Sequence, residues 1–348
     1  MPAVGRHQIR RIKTSRKGVA QQRPAKTSRR TVGTSLRDVF VQRLCVTSLV
    51  VLPLSAQQLP VRQVVSGVYV VLGDSGRGSE GRPNAGFIVT GDGVVVIDAL
   101  ASPAQGEQLV RTIRSVTREP LRWVVLTHHH PDHHFGAVVL RRAGARVIAH
   151  PDVSTGVDEQ SRAAAESTWT LVVGRDQMAG FAYADVPDRA VVTADTLRLG
   201  AKTIVIAHAW RGAAHTAGDL IVWLPPERVL FAGDLLIEDG VTMVVDGSGK
   251  GLLEALDTLR ALAPRIAVPG HGAIPADPRV LIDRTRDYML RLRAAMRGAI
   301  ERHRSLNHAL DSLPPADEGR PVSLRSRERR NANRVYLEVE KEMMGLEP

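Results

Sequence analysis

THHHPDHHFG, residues 127–136, holds five of the chain's twelve histidines and one aspartate within a single short loop. Histidine nitrogen and carboxylate oxygen are the donors that a divalent ion of the zinc type takes, so this density reads as part of a metal site. Side chains alternate along an extended loop, so His128 and His130 project to one side and converge on one ion while His129 points away. That ion needs a third ligand, and His215 in GAAHTAGD is placed to be it. Asp132 and His133 lie just beyond and can serve a second ion, completed by His271 in PGHG. Asp234, in LFAGD, has two oxygens and can bridge both ions.

The segments around the loop build its support. Residues 121–126, LRWVVL, are near-continuously apolar, as in a strand covered on both faces, and they deliver the loop at the strand's C-terminal end. Upstream, residues 67–73 read as a strand, and residues 86–90 and 94–98 flank Gly91-Asp92-Gly93, a hairpin signal of residues that tolerate positive φ. Ser102-Pro103 is a capping residue followed by proline at a helix's first position, and that helix runs to about Val116. Downstream, residues 137–142 follow a helical pattern and 146–149 a strand. Residues 151–185 read as a helix plus a variable, partly lid-like loop. Strand signals return at 191–199, 202–208, 220–224, 229–232 and 266–268, and helices are expected at 252–262, 280–303 and 331–343.

The 348 residues suffice for a real core, and at 4% aromatic content that core must be mainly aliphatic. The formal net charge of +11 sits almost wholly in residues 1–43, which hold 12 Lys or Arg against one acid, Asp38; the remainder carries 35 of each sign. A neutral body argues against a nucleic-acid partner. The basic front is too poor in apolar residues to fold. The apolar run 44–54, followed by Ser55-Ala56-Gln57, has the layout of a secretory signal and is too short for a membrane span. The expectation is a periplasmic or secreted chain, or a cytoplasmic one if the leader reflects an upstream start. Cys45, the only cysteine, falls in this run, so a mature chain would contain no disulfide.

HHHPDH at 128–133, His215 before Thr216, Gly233-Asp234 after an apolar strand and Gly270-His271-Gly272 after another resemble, in this order, the metallo-β-lactamase-fold hydrolases. Asp98, at the end of its strand, matches the family's first motif, a structural acid that supports the histidine loop. The resemblance covers about residues 61–276. Residues 84–100, with Asp246-Gly247-Ser248 ahead of a helix, look similar to a bacterial subgroup of quinoprotein-associated and sulfur-oxidation-associated zinc hydrolases. The resemblance implies an α/β protein, an αββα four-layer sandwich with metals at the sheet edge and a C-terminal helical extension. The division would be a leader over 1–56, the fold over 57–276 and helices packing on it over 277–348. Two Zn2+ per chain are implied, with iron or manganese as alternatives.

The activity to expect is that of a binuclear zinc-dependent hydrolase, in which a metal-bound hydroxide attacks the carbonyl of a small-molecule thioester, lactone, ester or amide. Asp132 has a second, catalytic role open to it: orienting the nucleophile or passing on its proton. Asp234 stands where β-lactamase subgroups of the family carry cysteine or serine, and it resembles the thioesterase and lactonase type, including hydroxyacylglutathione hydrolases. β-Lactam hydrolysis is the alternative, and a mononuclear iron sulfur dioxygenase the second; a nonenzymatic zinc-binding module is the third class. His130 in place of glutamate argues against di-iron oxygen-reducing relatives. His150, His208, His303 and His308 read as core or surface residues, and His129 and His134 as supporting or surface groups. Arg284, Arg286, Arg291, Arg293 and Arg297 read as the solvated face of the long helix.

Overall fold

The computed structural model describes residues 58–74, 82–311 and 322–346. The basic segment, the apolar run and Cys45 lie outside them. Among the described residues, no helix is long and apolar enough to cross a membrane.

Seven strands form the first sheet, in chain order: β1 (Val61–Val65), β2 (Val68–Val71), β3 (Ala85–Val89), β4 (Val94–Ile97), β5 (Leu121–Val125), β6 (Arg146–Ala149) and β7 (Arg189–Ala190). The first four pair antiparallel, and from β4 onward the pairing is parallel. The second sheet holds β8 (Ala194–Leu199), β9 (Lys202–Ala207), β10 (Ile221–Leu224), β11 (Val229–Phe231) and β12 (Ile266–Val268), antiparallel except for β11 with β12. Nearly every residue of β3, β4, β10 and β11 is buried, because both faces of each sheet are covered.

Side-chain alternation sorts the apolar residues into three layers. Val95, Ile97, Val125 and Ile148 of the first sheet meet Ile204, Ile206, Val222 and Phe231 of the second. Val94, Val96 and Val124 face the other way, onto Leu109 and Ile113 of α1 (Pro103–Val116) and Leu140 of α3 (Ala137–Arg142); the short α2 (Pro131–His134) immediately precedes α3 in the chain. Ile221, Trp223 and Leu230 pack on α6 (Gly249–Leu262), α7 (Pro278–Glu301) and α9 (Val322–Met343). The result is helix, sheet, sheet, helix, as the resemblance implied. Each fully buried Val, Leu or Ile contributes about 1.5–3 kcal/mol, so the aliphatic layers carry the stability that aromatic residues do not. The helices of the expected 277–348 segment share this third core, with Ile282, Met289, Val335 and Val339 in it. α4 (Asp152–Thr155), α5 (Glu159–Val173) and α8 (Leu306–Asp311) complete the helices of the described residues.

Several elements depart from the sequence reading. β1 and α8 are additional, and α9 begins at Val322 rather than near Asn331. The strand expected over 191–199 begins only at Ala194, as β8 of the second sheet, and the two residues of β7 just before it, Arg189–Ala190, end the first sheet. Arg293 is not part of a solvated face, since it bonds Glu338 and Glu342 of α9 at 2.7–2.8 Å, and Arg297 lies 3.6 Å from Glu342. Periodicity identifies the polar side of a helix but not the second helix that lies against it.

Gly136, the last residue of the histidine loop, has room for no side chain. A Cβ there would collide with the carbonyl of Ala99 and lie 3.1 Å from Cα of Gly106 on α1. Gly136→Ala is therefore expected to destabilise the fold by about 1–3 kcal/mol, read as a lower denaturant midpoint. An unchanged midpoint would show that the loop can retreat from α1.

Candidate metal centre

The site starts where β4 ends. Asp98 leaves the strand with a left-handed backbone, φ 58°, and its carboxylate turns toward the end of β5. There Oδ1 accepts from Thr127 N at 2.8 Å, while Oδ2 accepts from Thr127 Oγ1 at 3.0 Å and lies 2.8 Å from His133 Nδ1. One buried acid thus fixes both the entry to the histidine loop and one of its rings.

The structure brings all seven candidate ligands together. His128, His130, His215 and Asp234 form one group and Asp132, His133 and His271 another, with the donor atoms of each group within 4.8 Å of one another. Asp234 lies between the groups. Its Oδ1 is 3.2 Å from His133 Nε2 and 3.7 Å from His271 Nε2, and its Oδ2 is 3.7 Å from His215 Nε2. His271 Nε2 is 3.1 Å from Asp132 Oδ2. Asp234 sits on a short turn after β11, and Gly270 permits the approach: a Cβ at 270 would overlap Asp234 Oδ1.

The far nitrogens of the rings are held by protein groups. His128 Nδ1 meets Thr127 Oγ1 at 2.9 Å, His130 Nε2 meets Asp246 Oδ2 at 3.0 Å, and His215 Nδ1 donates to Met243 O at 2.7 Å. With Nδ1 donating, a neutral His215 keeps its lone pair on Nε2, and His130, donating to Asp246, keeps its own on Nδ1. These two atoms face each other at 2.9 Å. Two lone pairs at that distance repel unless a proton or a cation lies with them. His128 Nε2 is buried without a hydrogen-bond partner beside them. This donor set fits divalent ions, three imidazoles on one side and two imidazoles with a carboxylate on the other.

Electrostatics separates the rings. Burial, reinforced by neighbouring histidines, pushes the His128 pKa well below its ordinary value and His215 down to about 4, which favours the neutral form that ligates. Burial opposes protonation of His133 too, but Asp234, Asp132 and Asp98 around it raise its pKa well above the ordinary value. For Asp234, burial is outweighed by His271 and His133, which hold the carboxyl well below the usual range. The bond to His130 holds Asp246 at about 2. Since ligation needs the lone pair that a proton occupies on His133, metal uptake is coupled to proton release.

A cavity of about 430 Å³ opens beside the first group, lined by His129, His130, Arg162, Tyr183 and Asp246 among others. Residues of the 151–185 stretch line one side of it, Val153, Ser161 and Asp185 among them. α5 buries none of its side chains and is tied down by polar contacts: Trp169 Nε1 to Ala101 O, Arg162 to Ser154 O and Asp185, and Tyr183 Oη to Arg162 O. His129 is not one of the donors grouped with His128; its ring clusters instead with His130 and Asp246, donor atoms within 4.8 Å of one another. His150 and His208 are buried with ring centroids 5.2 Å apart, whereas His303 and His308 are exposed.

Three supporting groups escaped the sequence reading. Asp246, in sequence only one member of the Asp246-Gly247-Ser248 motif, bonds His130 Nε2. Asp219 accepts from His215 N, Thr216 N and Thr216 Oγ1 at 2.8–2.9 Å and shapes the His215 turn. Asn84 donates to Pro269 O and Gly272 O, gripping the His271 loop from 185 residues away. The GD of GAAHTAGD was a local signal for the second; nothing in sequence spacing connects Asn84 to residue 271.

With fold and site in place, the chain belongs to the metallo-beta-lactamase superfamily, which residues 78–271 match. Among its relatives, the hydroxyacylglutathione hydrolase of Methylobacterium sp. (strain 4-46) is 26% identical over 198 residues, 56% of this chain and 65% of that protein. The metallo-beta-lactamase type 2 of Bacteroides fragilis is 24% identical over 196 residues, 55% of this chain and 69% of that one. The chain thus spans somewhat less than two thirds of the first relative's length. A metallo-beta-lactamase family protein from Thermus thermophilus shares the fold, with TM-score 0.60 and 19% identity over 81% of this chain and 95% of that one.

Asp98→Asn keeps the shape of the side chain and removes its charge from His133. Metal binding by the group containing His133 is expected to weaken about 10- to 100-fold, measured by competition with a chelator. Unchanged affinity would mean that Asp98 orders only the backbone.

Proposed function

We propose that this chain is a binuclear zinc-dependent hydrolase acting on a small-molecule carbonyl compound, with thioesters and lactones favoured over β-lactams. The observation that carries the reading is Asp234, whose two oxygens face separate ligand groups. Under this proposal His128, His130 and His215 hold one ion, Asp132, His133 and His271 hold the other, and Asp234 spans them. Divalent cations so held supply Lewis acidity to a carbonyl oxygen and water acidified toward neutrality.

The protein's own groups do the rest. Thr127, Asp246, Met243 O and Asp98 fix four of the imidazoles, so the donor geometry is set before substrate arrives. Asp132, whose pKa His133 and His271 draw down against the effect of burial, is an ionised carboxylate at the edge of the site. We assign it the task of accepting the nucleophile's proton as well as ligation. The cavity of about 430 Å³, lined on one side by the 151–185 stretch, suits a small acyl group. Relatives named as hydroxyacylglutathione hydrolases support a thioester, and the relative named as a metallo-beta-lactamase keeps the β-lactam alternative in the test. The kinship with quinoprotein-associated and sulfur-oxidation-associated hydrolases is part of the proposal and rests on residues 84–100 and Asp246-Gly247-Ser248.

Metal analysis of the purified chain is expected to give about two zinc per chain. Turnover is expected with an acylglutathione thioester or a lactone, ahead of a chromogenic cephalosporin. One iron per chain with thiol-persulfide oxidation would replace this reading by the dioxygenase, and full metal content without hydrolysis of any of the three would end it. Within the active protein, Asp132→Ala should lower turnover per bound metal by at least about 100-fold. A fall no greater than metal loss explains would remove the proton-accepting role.

A further inference from the structure

The last helix, α9, lies beyond the residues that match the superfamily, yet three of its side chains grip the loop leading into α6. Asn331, fully buried, donates from Nδ2 to Thr242 O at 2.8 Å and accepts at Oδ1 from Val244 N at 2.9 Å. Its amide therefore brackets Met243 on both sides. One helical turn on, Arg334 donates to Gly247 O through Nε and Nη2 at 2.9 and 2.7 Å. A further turn on, the Glu338 carboxylate accepts from Ser248 Oγ, Gly249 N and Lys250 N at 2.8–3.0 Å, at the positive end of α6. Glu338 is itself held by Arg293 of α7.

The other side of the same loop faces the ligands. Met243 O is the acceptor for His215 Nδ1, and Asp246 carries the carboxylate against His130 Nε2. Asn331 is thus one residue's backbone away from the bond that orients His215, and Arg334 holds the carbonyl next to Asp246. His133, in the other group, takes its orientation from Asp98 at the end of β4 and has no bond to this loop.

We infer that Asn331 and Arg334 are positioning residues for one metal site only: α9 is a brace that sets the orientation of His130 and His215 through residues 242–247. The inference rests on the binuclear reading above and extends it by making the two sites unequal in their dependence on the C-terminal helix. Where a ligand's outer partner is lost, metal affinity falls by about 10- to 100-fold. Losing the brace should cost the His128, His130 and His215 group that much, while the Asp132, His133 and His271 group keeps its affinity.

The test uses the full chain loaded with zinc and titrated with a chelator, and it reads metal release rather than activity. His128→Ala and His271→Ala identify which release step belongs to which group. Asn331→Ala and Arg334→Ala are expected to shift the His128 step alone, by at least about tenfold. Arg334 is exposed, so its variant does not depend on refilling a core. Val339→Ala, which opens a gap in the packing of α9 but removes none of its hydrogen bonds to residues 242–247, is the control for simple loosening and should leave both steps in place. Equal weakening of both steps, an equal effect of Val339→Ala, or two unmoved steps would each overturn the brace. Wild-type chain that fails to bind two ions would sink the binuclear reading and the brace with it, an outcome distinct from intact binding with unmoved variants.

Discussion

Imidazole nitrogens crowd together at the centre of this protein, and the fold is arranged to hold them there. His130 Nδ1 and His215 Nε2 stand 2.9 Å apart with the buried, unpartnered His128 Nε2 beside them. In solution such rings would rotate away. Here each is denied that freedom by an outer bond, to Thr127, Asp246 or Met243 O, and the carboxylate of Asp98 does the same for His133. The energy needed to crowd like groups together comes from three aliphatic layers, whose side chains fix the ends of β4, β5, β11 and β12 relative to one another.

The sequence revealed the donors more readily than their supports. His128 and His130 announce themselves by alternation, and Asp132, His133, His215, Asp234 and His271 by ligand chemistry at strand ends, because a metal constrains residue type strongly. Both sheets were visible for a related reason: strands buried on two faces must be apolar throughout, as 94–97 and 121–125 are. Asp246 and Asn84 were not legible as supports, since a hydrogen bond between residues 116 or 185 apart leaves no periodicity. Arg293 was misread because a cation aligned on a helix's polar side looks the same whether it meets water or Glu342. The early part of α9 was missed for similar reasons. Its sequence from Ser323 to Arg330 is mostly polar, and the apolar stripe that marks a helix begins only at Ala332 and Val335.

Supports arrive at the site from opposite ends of the chain. Asn84 clamps the His271 loop from the beginning of the fold, while Asn331 and Arg334 hold residues 242–247 from its end. Side-chain amides suit this work, since one Asn can donate and accept at once and so tie two backbone positions together without introducing charge. The ligands themselves lie between residues 128 and 271. Their precision is thus a property of a longer stretch of chain than the one that carries the chemistry.

The 151–185 stretch obeys different rules from the rest of the site. α5 contributes no buried side chain to any core, and its attachments are polar contacts such as Trp169 to Ala101 O and Arg162 to Asp185. Exchanging residues along it therefore disturbs neither the aliphatic layers nor the imidazole supports. Inheritance can act on the two parts separately: the donors of the site are held to one chemistry, while this wall drifts with little risk to folding. A lineage carrying this scaffold could change the molecule it accepts by a few substitutions in α5 and keep the same seven donors.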